Sequence, residues 1–260
     1  MSENASEPQS NQSRRKFMKQ SLATLATTGL VVNPALTSGA FAASTELIKV
    51  GLVGCGGRGT GAAAQTLRAD SNVELVAMAD AFGDHLEQSY QNLKKTEVQD
   101  RVKVDADHKF VGFDAFQKLI DSGVDLVILA TPPHFRPQQL QACIDADKHV
   151  FCEKPVAVDA PGIRSVLKTT AEAKKKNLTI VSGLCWRYEP GMQQMVDKIH
   201  EGGIGDIVAL HSTRYLGGVA KMVKRKPEWS DMEYQMRNWY YYTWLSGDFN
   251  TEQFVHELDK

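Results

Sequence analysis

Residues 45–188 predict a doubly wound α/β fold built on a parallel sheet, and three observations carry that expectation. Short apolar runs alternate with helix-forming stretches along this part of the chain. The runs are apolar throughout rather than at every second position, as in strands covered on both faces. A glycine-rich turn follows the first run directly, as in the first crossover of an open parallel sheet with right-handed connections.

The elements follow in order. Residues 47–53 (LIKVGLV) form a strand-like run, and the glycines after it lead into a helix former over 61–68. Residues 73–79 repeat the buried-strand pattern and close at Asp80, before a polar helix over about 84–95. Asp114 is placed to cap a helix through Ile120 that Gly123 ends. Residues 124–130 (VDLVILA) are the clearest strand, broken by Thr131-Pro132-Pro133. A helix over about 137–146 leads to a strand at 149–152, and a helix over 160–175 to a strand at 178–182. After Tyr188 the rhythm changes. A helix over 192–200, a turn at 202–206 and a half-exposed strand at 207–215 precede an irregular, basic and aromatic segment over 216–246. Residues 248–260 read as a last helix. A second domain therefore begins near Glu189 and lacks its remainder, so the expected division is 45–188 and 189–260, the latter truncated.

Residues 1–42 read differently. A polar start, the run Ser13-Arg14-Arg15-Lys16-Phe17-Met18-Lys19, a mildly apolar segment and Ala40-Phe41-Ala42 give the order of a secretory signal. The run matches the twin-arginine pattern S-R-R-x-F-x-K at each fixed position. Export by this route, which carries folded proteins, predicts a periplasmic or otherwise exported protein. These residues hold four of the 30 basic and two of the 31 acidic groups, which leaves 26 and 29, or −3, for the rest. That balance offers no global basic field for nucleic acid or acidic lipid, and no apolar run predicts a stable membrane span after processing. Cys55, Cys143, Cys152 and Cys185 form no CxxC pair, and folding before export favours free, mostly buried thiols.

Gly54-Cys55-Gly56-Gly57-Arg58-Gly59 satisfies G-x-G-x-x-G between a strand and a helix. Gly54 permits the tight turn, Gly56 lets the backbone approach a pyrophosphate, and Gly59 lets the helix pack closely. The helix start then offers unpaired N–H groups to the phosphates. Asp80, 21 residues beyond Gly59, is placed to accept hydrogen bonds from the adenosine ribose, which favours NAD, with NADP as the alternative. Arg58 is the nearby cation for a 2′-phosphate. Glu153-Lys154-Pro155 directly follows a strand, where open α/β sheets bind ligands. No metal site is expected.

These elements, with Ala130-Thr131-Pro132-Pro133-His134 and Trp186-Arg187-Tyr188, stand in the order seen in the Gfo/Idh/MocA oxidoreductases, which the chain resembles over nearly all of 45–260. The resemblance implies a Rossmann domain followed by an α/β domain with an open, mostly antiparallel sheet. It also implies bound NAD(P) and a sugar or polyol substrate. Carried over by position, Lys154 sits near the reacting carbon and assists proton transfer, while Glu153, His134 and Thr131 line the cofactor. The family usually carries an Asp and a His four residues apart in its second domain; here Glu252 and His256 hold that spacing, with Asp259 beyond. Glu252 replaces the usual Asp, Phe254 a usual Gly, and Ser246-Gly247-Asp248 a glycine run.

The expectation is an exported oxidoreductase that passes a hydride between a carbohydrate or polyol alcohol and a tightly held nicotinamide cofactor. Lys154 or His256 handles the hydroxyl proton. The alternatives are a redox-neutral NAD-dependent glycoside hydrolase and a non-catalytic nucleotide- or carbohydrate-binding protein. The export machinery and a second copy in a homo-oligomer are the expected partners.

Overall fold

Six parallel strands in the order β3-β2-β1-β4-β5-β6 make the sheet: β1 Ile48–Val53, β2 Val73–Asp80, β3 Lys109–Val111, β4 Leu126–Leu129, β5 His149–Cys152 and β6 Ile180–Ser182. The computed structural model describes residues 46–217 and 221–260. The twin-arginine segment lies outside them. The crossover helices are α1 Gly57–Ala69, α2 Gly83–Leu93, α3 Ala115–Asp121, α4 Arg136–Asp145 and α5 Ala160–Lys175. Strand order reverses between β1 and β4, so the crevice outside their carboxyl ends is the topological switch point.

Strand side chains feed two cores, one on each face. Leu52, Leu75, Met78 and Ile128 pack under α1 and α2, and Val53, Ala77, Val127 and Leu129 pack with Leu119, Leu140 and Ile144 of α3 and α4. Each fully buried Leu or Ile contributes about 1.5–3 kcal/mol. Burial on both faces explains why the strands read as continuous apolar runs. Asp159 caps α5 through the Gly162 N–H at 2.7 Å.

Asp114 does not cap α3 with its side chain; its carboxylate pairs instead with Lys118, 2.8 Å away. The short edge strand β3 was not expected, because KFV carries too little pattern to separate from a loop. Beyond α6 (Pro190–His200), the expected strand at 207–215 is irregular, and the six-stranded sheet is the one sheet among the described residues. Val208, Leu210 and Tyr215 are at least 90% exposed. A strand needs a partner for its N–H and C=O groups, and no described segment supplies one. The segment expected to be irregular holds α7 (Asp231–Arg237), a 3₁₀ turn at Trp239–Tyr241 and α8 (Thr243–Ser246). The final helix starts later than expected, because Gly247 and Asp248 both adopt left-handed backbone. A π-helical turn at Asn250–Phe254 then runs into α9 (Val255–Leu258). Residues 46–260 form one compact unit. All four cysteines are free, with Cys185 exposed and the others buried.

Candidate active site

The loop after β1 opens a cavity of about 360 Å³ at the switch point, walled by Gly54, Gly56, Asp80, Phe82, Thr131 and Arg237 among others. Gly54 has φ +96°, and a Cβ there would stand 2.6 Å from the backbone of Ala130 and Thr131. A Cβ on Gly59 would meet the Gly54 carbonyl oxygen at 1.9 Å, so these two glycines let loop, helix and β4 close on one another. At Gly56 and Gly57 a Cβ would meet nothing within 4 Å, leaving the start of α1 open to a ligand. The residues present fit a dinucleotide: an open helix start and a strand-ending acid, Asp80, line one cavity.

Asp80 is locked by main-chain donors. Cys55 N–H donates to Oδ2 (2.7 Å) and Phe82 N–H to Oδ1 (2.9 Å). The carboxylate thus ties the glycine loop to the end of β2 and keeps spare lone pairs for ribose hydroxyls. Arg58 does not line this cavity. Its Nε pairs with Glu153 Oε1 at 2.9 Å, and an Nη donates to Gln65. The cation suggested for a 2′-phosphate therefore stands on the Glu153 side of the cleft. Thr131 donates through Oγ1 to Gln139 (2.5 Å). His134 is exposed on the rim, its ring edge-on to Trp244 at 5.2 Å.

Lys154 and Glu252, 98 residues apart, meet in a partly buried ion pair. Lys154 Nζ donates to Glu252 Oε1 at 2.8 Å and to the Glu252 carbonyl oxygen at 2.5 Å. An ammonium has three N–H donors, so one remains for a substrate oxygen. Glu252 Oε2, His256 Nδ1 and Asp259 Oδ2 are buried without a hydrogen-bond partner in this structure. Buried polar atoms are almost always paired, which sets these atoms apart from most buried polar groups among the described residues. Burial pushes the Glu252 carboxyl up, against the pull of Lys154. Burial also pushes His256 down, and the positive charges of Lys154 and Arg214 push it further. The imidazole is therefore neutral at neutral pH and able to accept a proton.

Sequence reasoning missed Arg136. Its side chain, only 4% exposed, donates from Nε to Thr131 O (2.8 Å) and from Nη1 to Glu153 O (2.9 Å) and Pro155 O (2.6 Å). One guanidinium thus stitches the turn after β4 to the Glu-Lys-Pro turn after β5. An arginine opening a helix gives no sequence signal that it points inward. Arg136→Met is expected to lose about 3–5 kcal/mol of stability and to lower turnover by misplacing Lys154. Urea unfolding and steady-state kinetics on one preparation check both.

The aromatic run divides its duties. Trp239 lines the cavity, the Tyr240 hydroxyl accepts from Gln253, and Trp244 donates to Gln235 at 2.8 Å. No group of three metal-ligating side chains occurs among the described residues. No helix among them is long and apolar enough to cross a membrane.

The profile of the Gfo/Idh/MocA oxidoreductases, NAD-binding Rossmann fold, matches residues 48–181, just over half of the chain. The chain belongs to the Gfo/Idh/MocA oxidoreductase family. As a member, it carries the family's NAD-binding Rossmann domain. It is 29% identical over 164 residues to inositol 2-dehydrogenase 1 of Saccharopolyspora erythraea, covering 63% of this chain and 44% of that protein. It is 28% identical to inositol 2-dehydrogenase of Salmonella typhimurium, covering 65% and 46%. Among solved structures, myo-inositol 2-dehydrogenase from Lactobacillus plantarum superposes with TM-score 0.51 at 22% identity, covering 63% of this chain and 44% of that one. Scyllo-inositol dehydrogenase from Lactobacillus casei, solved with NAD(H) and scyllo-inositol, gives 0.50 at 24%, covering 62% and 43%. At these identities the structures speak to fold alone. The chain spans less than half the length of the curated relatives it matches.

Proposed function

We propose that this Gfo/Idh/MocA protein is an NAD-dependent oxidoreductase that oxidises an alcohol of a cyclic polyol or sugar. One observation carries the reading: Lys154, just beyond β5, is clamped to Glu252 near His256, whose Nδ1 is buried without a partner. The inositol dehydrogenase names of the relatives support the substrate class. NAD, when bound, supplies the hydride acceptor. Gly56 and Gly57, open at the start of α1, would hold the diphosphate with backbone amides, Gly54 and Gly59 shape the turn that presents them, and Asp80 would orient the adenosine ribose. Lys154 directs its remaining N–H to the reacting hydroxyl oxygen, His256 takes the hydroxyl proton, and Glu252 holds Lys154 in place.

Oxidation with scyllo-inositol, myo-inositol and common sugars should produce NADH in step with ketone. Net hydrolysis of an aryl glycoside with no change in cofactor oxidation state would overturn this in favour of the redox-neutral route. Because His256 titrates below the ordinary imidazole value, the acid limb of kcat/KM for oxidation is expected below about pH 6.5. Activity is full above that limb and falls as protonation removes the base. The profile of His256→Gln, lacking this limb, checks the assignment.

We also propose export of the folded protein with its cofactor in place, on the strength of the twin-arginine run. No ready pool of free nicotinamide cofactor exists outside the cytoplasm, so NAD(H) would be retained through many turnovers. Native mass spectrometry of protein recovered from the periplasm should show the mass of one bound NAD(H).

A further inference from the structure

The wall of the cavity opposite the glycine loop comes from the far end of the chain. Arg237, at the end of α7, reaches Asp84 and His85 at the start of α2 and lines the same cavity as Asp80 and Phe82. Its guanidinium lies 4.1 Å from the Phe82 ring centre and 4.7 Å from that of the buried Trp229, and the side chain is 12% exposed. Both terminal nitrogens are engaged by one carboxylate: Nη1 donates to Asp84 Oδ2 at 2.9 Å and Nη2 to Asp84 Oδ1 at 3.1 Å. Glu233 takes the remaining Nε at 2.9 Å. His85 stands between, with Nδ1 3.8 Å from Asp80 Oδ1 and Nε2 3.4 Å from Arg237 Nη1.

The two Nη donors of a guanidinium form the fork that binds phosphate in two-point fashion. Arg237 carries that fork on the wall of the same cavity as Asp80, across His85 from the acid proposed to address the adenosine ribose, while Arg58 is paired with Glu153. Asp84 fills the fork with a carboxylate. We propose that the Arg237–Asp84 pair is a specificity-determining element for the adenosine end: Asp84 occupies an otherwise complete 2′-phosphate receptor and thereby reserves the cleft for NAD over NADP. The inference rests on dinucleotide binding at the glycine loop and adds a determinant outside the strand-ending acid. A 2′-phosphate arriving in the wild-type cleft meets the Asp80 carboxylate on the cavity wall and an arginine already paired with Asp84 and Glu233. Without Asp84, the fork is free at the edge of the cavity that Arg237 lines, fixed by its two aromatic neighbours and by Glu233.

Isothermal titration of the full chain with NAD and with NADP, at one ionic strength, tests this in the wild type, Asp84→Ala, and Asp84→Ala/Arg237→Ala. Asp84→Ala should tighten NADP by about tenfold, the scale of one charge-assisted hydrogen bond, with little change for NAD. The double variant should lose the gain. NADP affinity unmoved by Asp84→Ala, while NAD still binds, overturns the proposal alone. A gain that persists in the double variant also overturns it, because Arg237 is then not the receptor. Absence of NAD and NADP binding in all three proteins overturns the dinucleotide reading and this inference with it. Asp84→Asn serves as a second single variant if the alanine protein is unstable, and should show a smaller gain in the same direction.

Discussion

Lys154→Met is expected to lower turnover of the alcohol by about 10²–10⁴-fold, the range for loss of a positioned proton-transfer group, while NAD still binds. The methionine keeps the length of the stem and removes every N–H. Glu252 then loses its cation in a site where only 6% of it is exposed, so its pKa, already raised by burial against the pull of Lys154, rises further. Lys154→Arg is not expected to rescue, because a planar fork cannot place one donor on the Glu252 carbonyl, one on its carboxylate and a third toward the substrate. Single-turnover hydride transfer, measured beside NAD titration, separates the lost step from lost binding. Unchanged turnover in Lys154→Met would remove this residue from the reaction.

Gly59→Ala should carry the second large effect. Glycine to alanine inside a helix ordinarily stabilises by about 0.4–1 kcal/mol. Here the new methyl group would stand 1.9 Å from the Gly54 carbonyl oxygen and 3.1 Å from the Ala130 Cβ. The obstacle is backbone on a neighbouring turn, which cannot swing aside, so loop and helix must separate. The expected outcome is a loss of about 1–3 kcal/mol, typical of overpacking, and NAD affinity weakened at least about tenfold, or about 1.4 kcal/mol. Gly61→Ala, two residues on in the same helix, meets only the far end of Arg58 at 3.9 Å and should be neutral or stabilising. Thermal melts with and without NAD distinguish the two. Equal behaviour would show that Gly59 is an ordinary helical residue.

Much of the parallel sheet was readable because its signals are local. Residues 149–152 and 160–175 carry their pattern within their own length, and both elements stand where the pattern placed them. The glycine loop and Asp80 were readable for the same reason, since a strand, a turn and a second strand locate both. The region after Tyr188 was less legible. Alternation at 207–215 resembles a strand, but a strand exists only when another lies beside it. Helix α7 went unread because its seven residues are too short for a periodic stripe, although Ser230 caps it through the Glu233 N–H at 3.1 Å.

By itself, the sequence determined the Rossmann order of strands and helices, the glycine turn that needs no side chain, and the residues with chemistry to offer: Asp80, Lys154, Glu252 and His256. Only the tertiary structure decided how distant residues meet. It brought Glu252 to Lys154, turned Arg136 inward to join two loops, sent Arg58 to Glu153 rather than to the ribose, and carried Arg237 to the wall facing Asp80. The physical reason is one of range. Backbone preference and burial pattern act between near neighbours and leave a periodic trace, whereas the pairing of two charges 98 or 153 residues apart is set by packing between them and leaves no such trace.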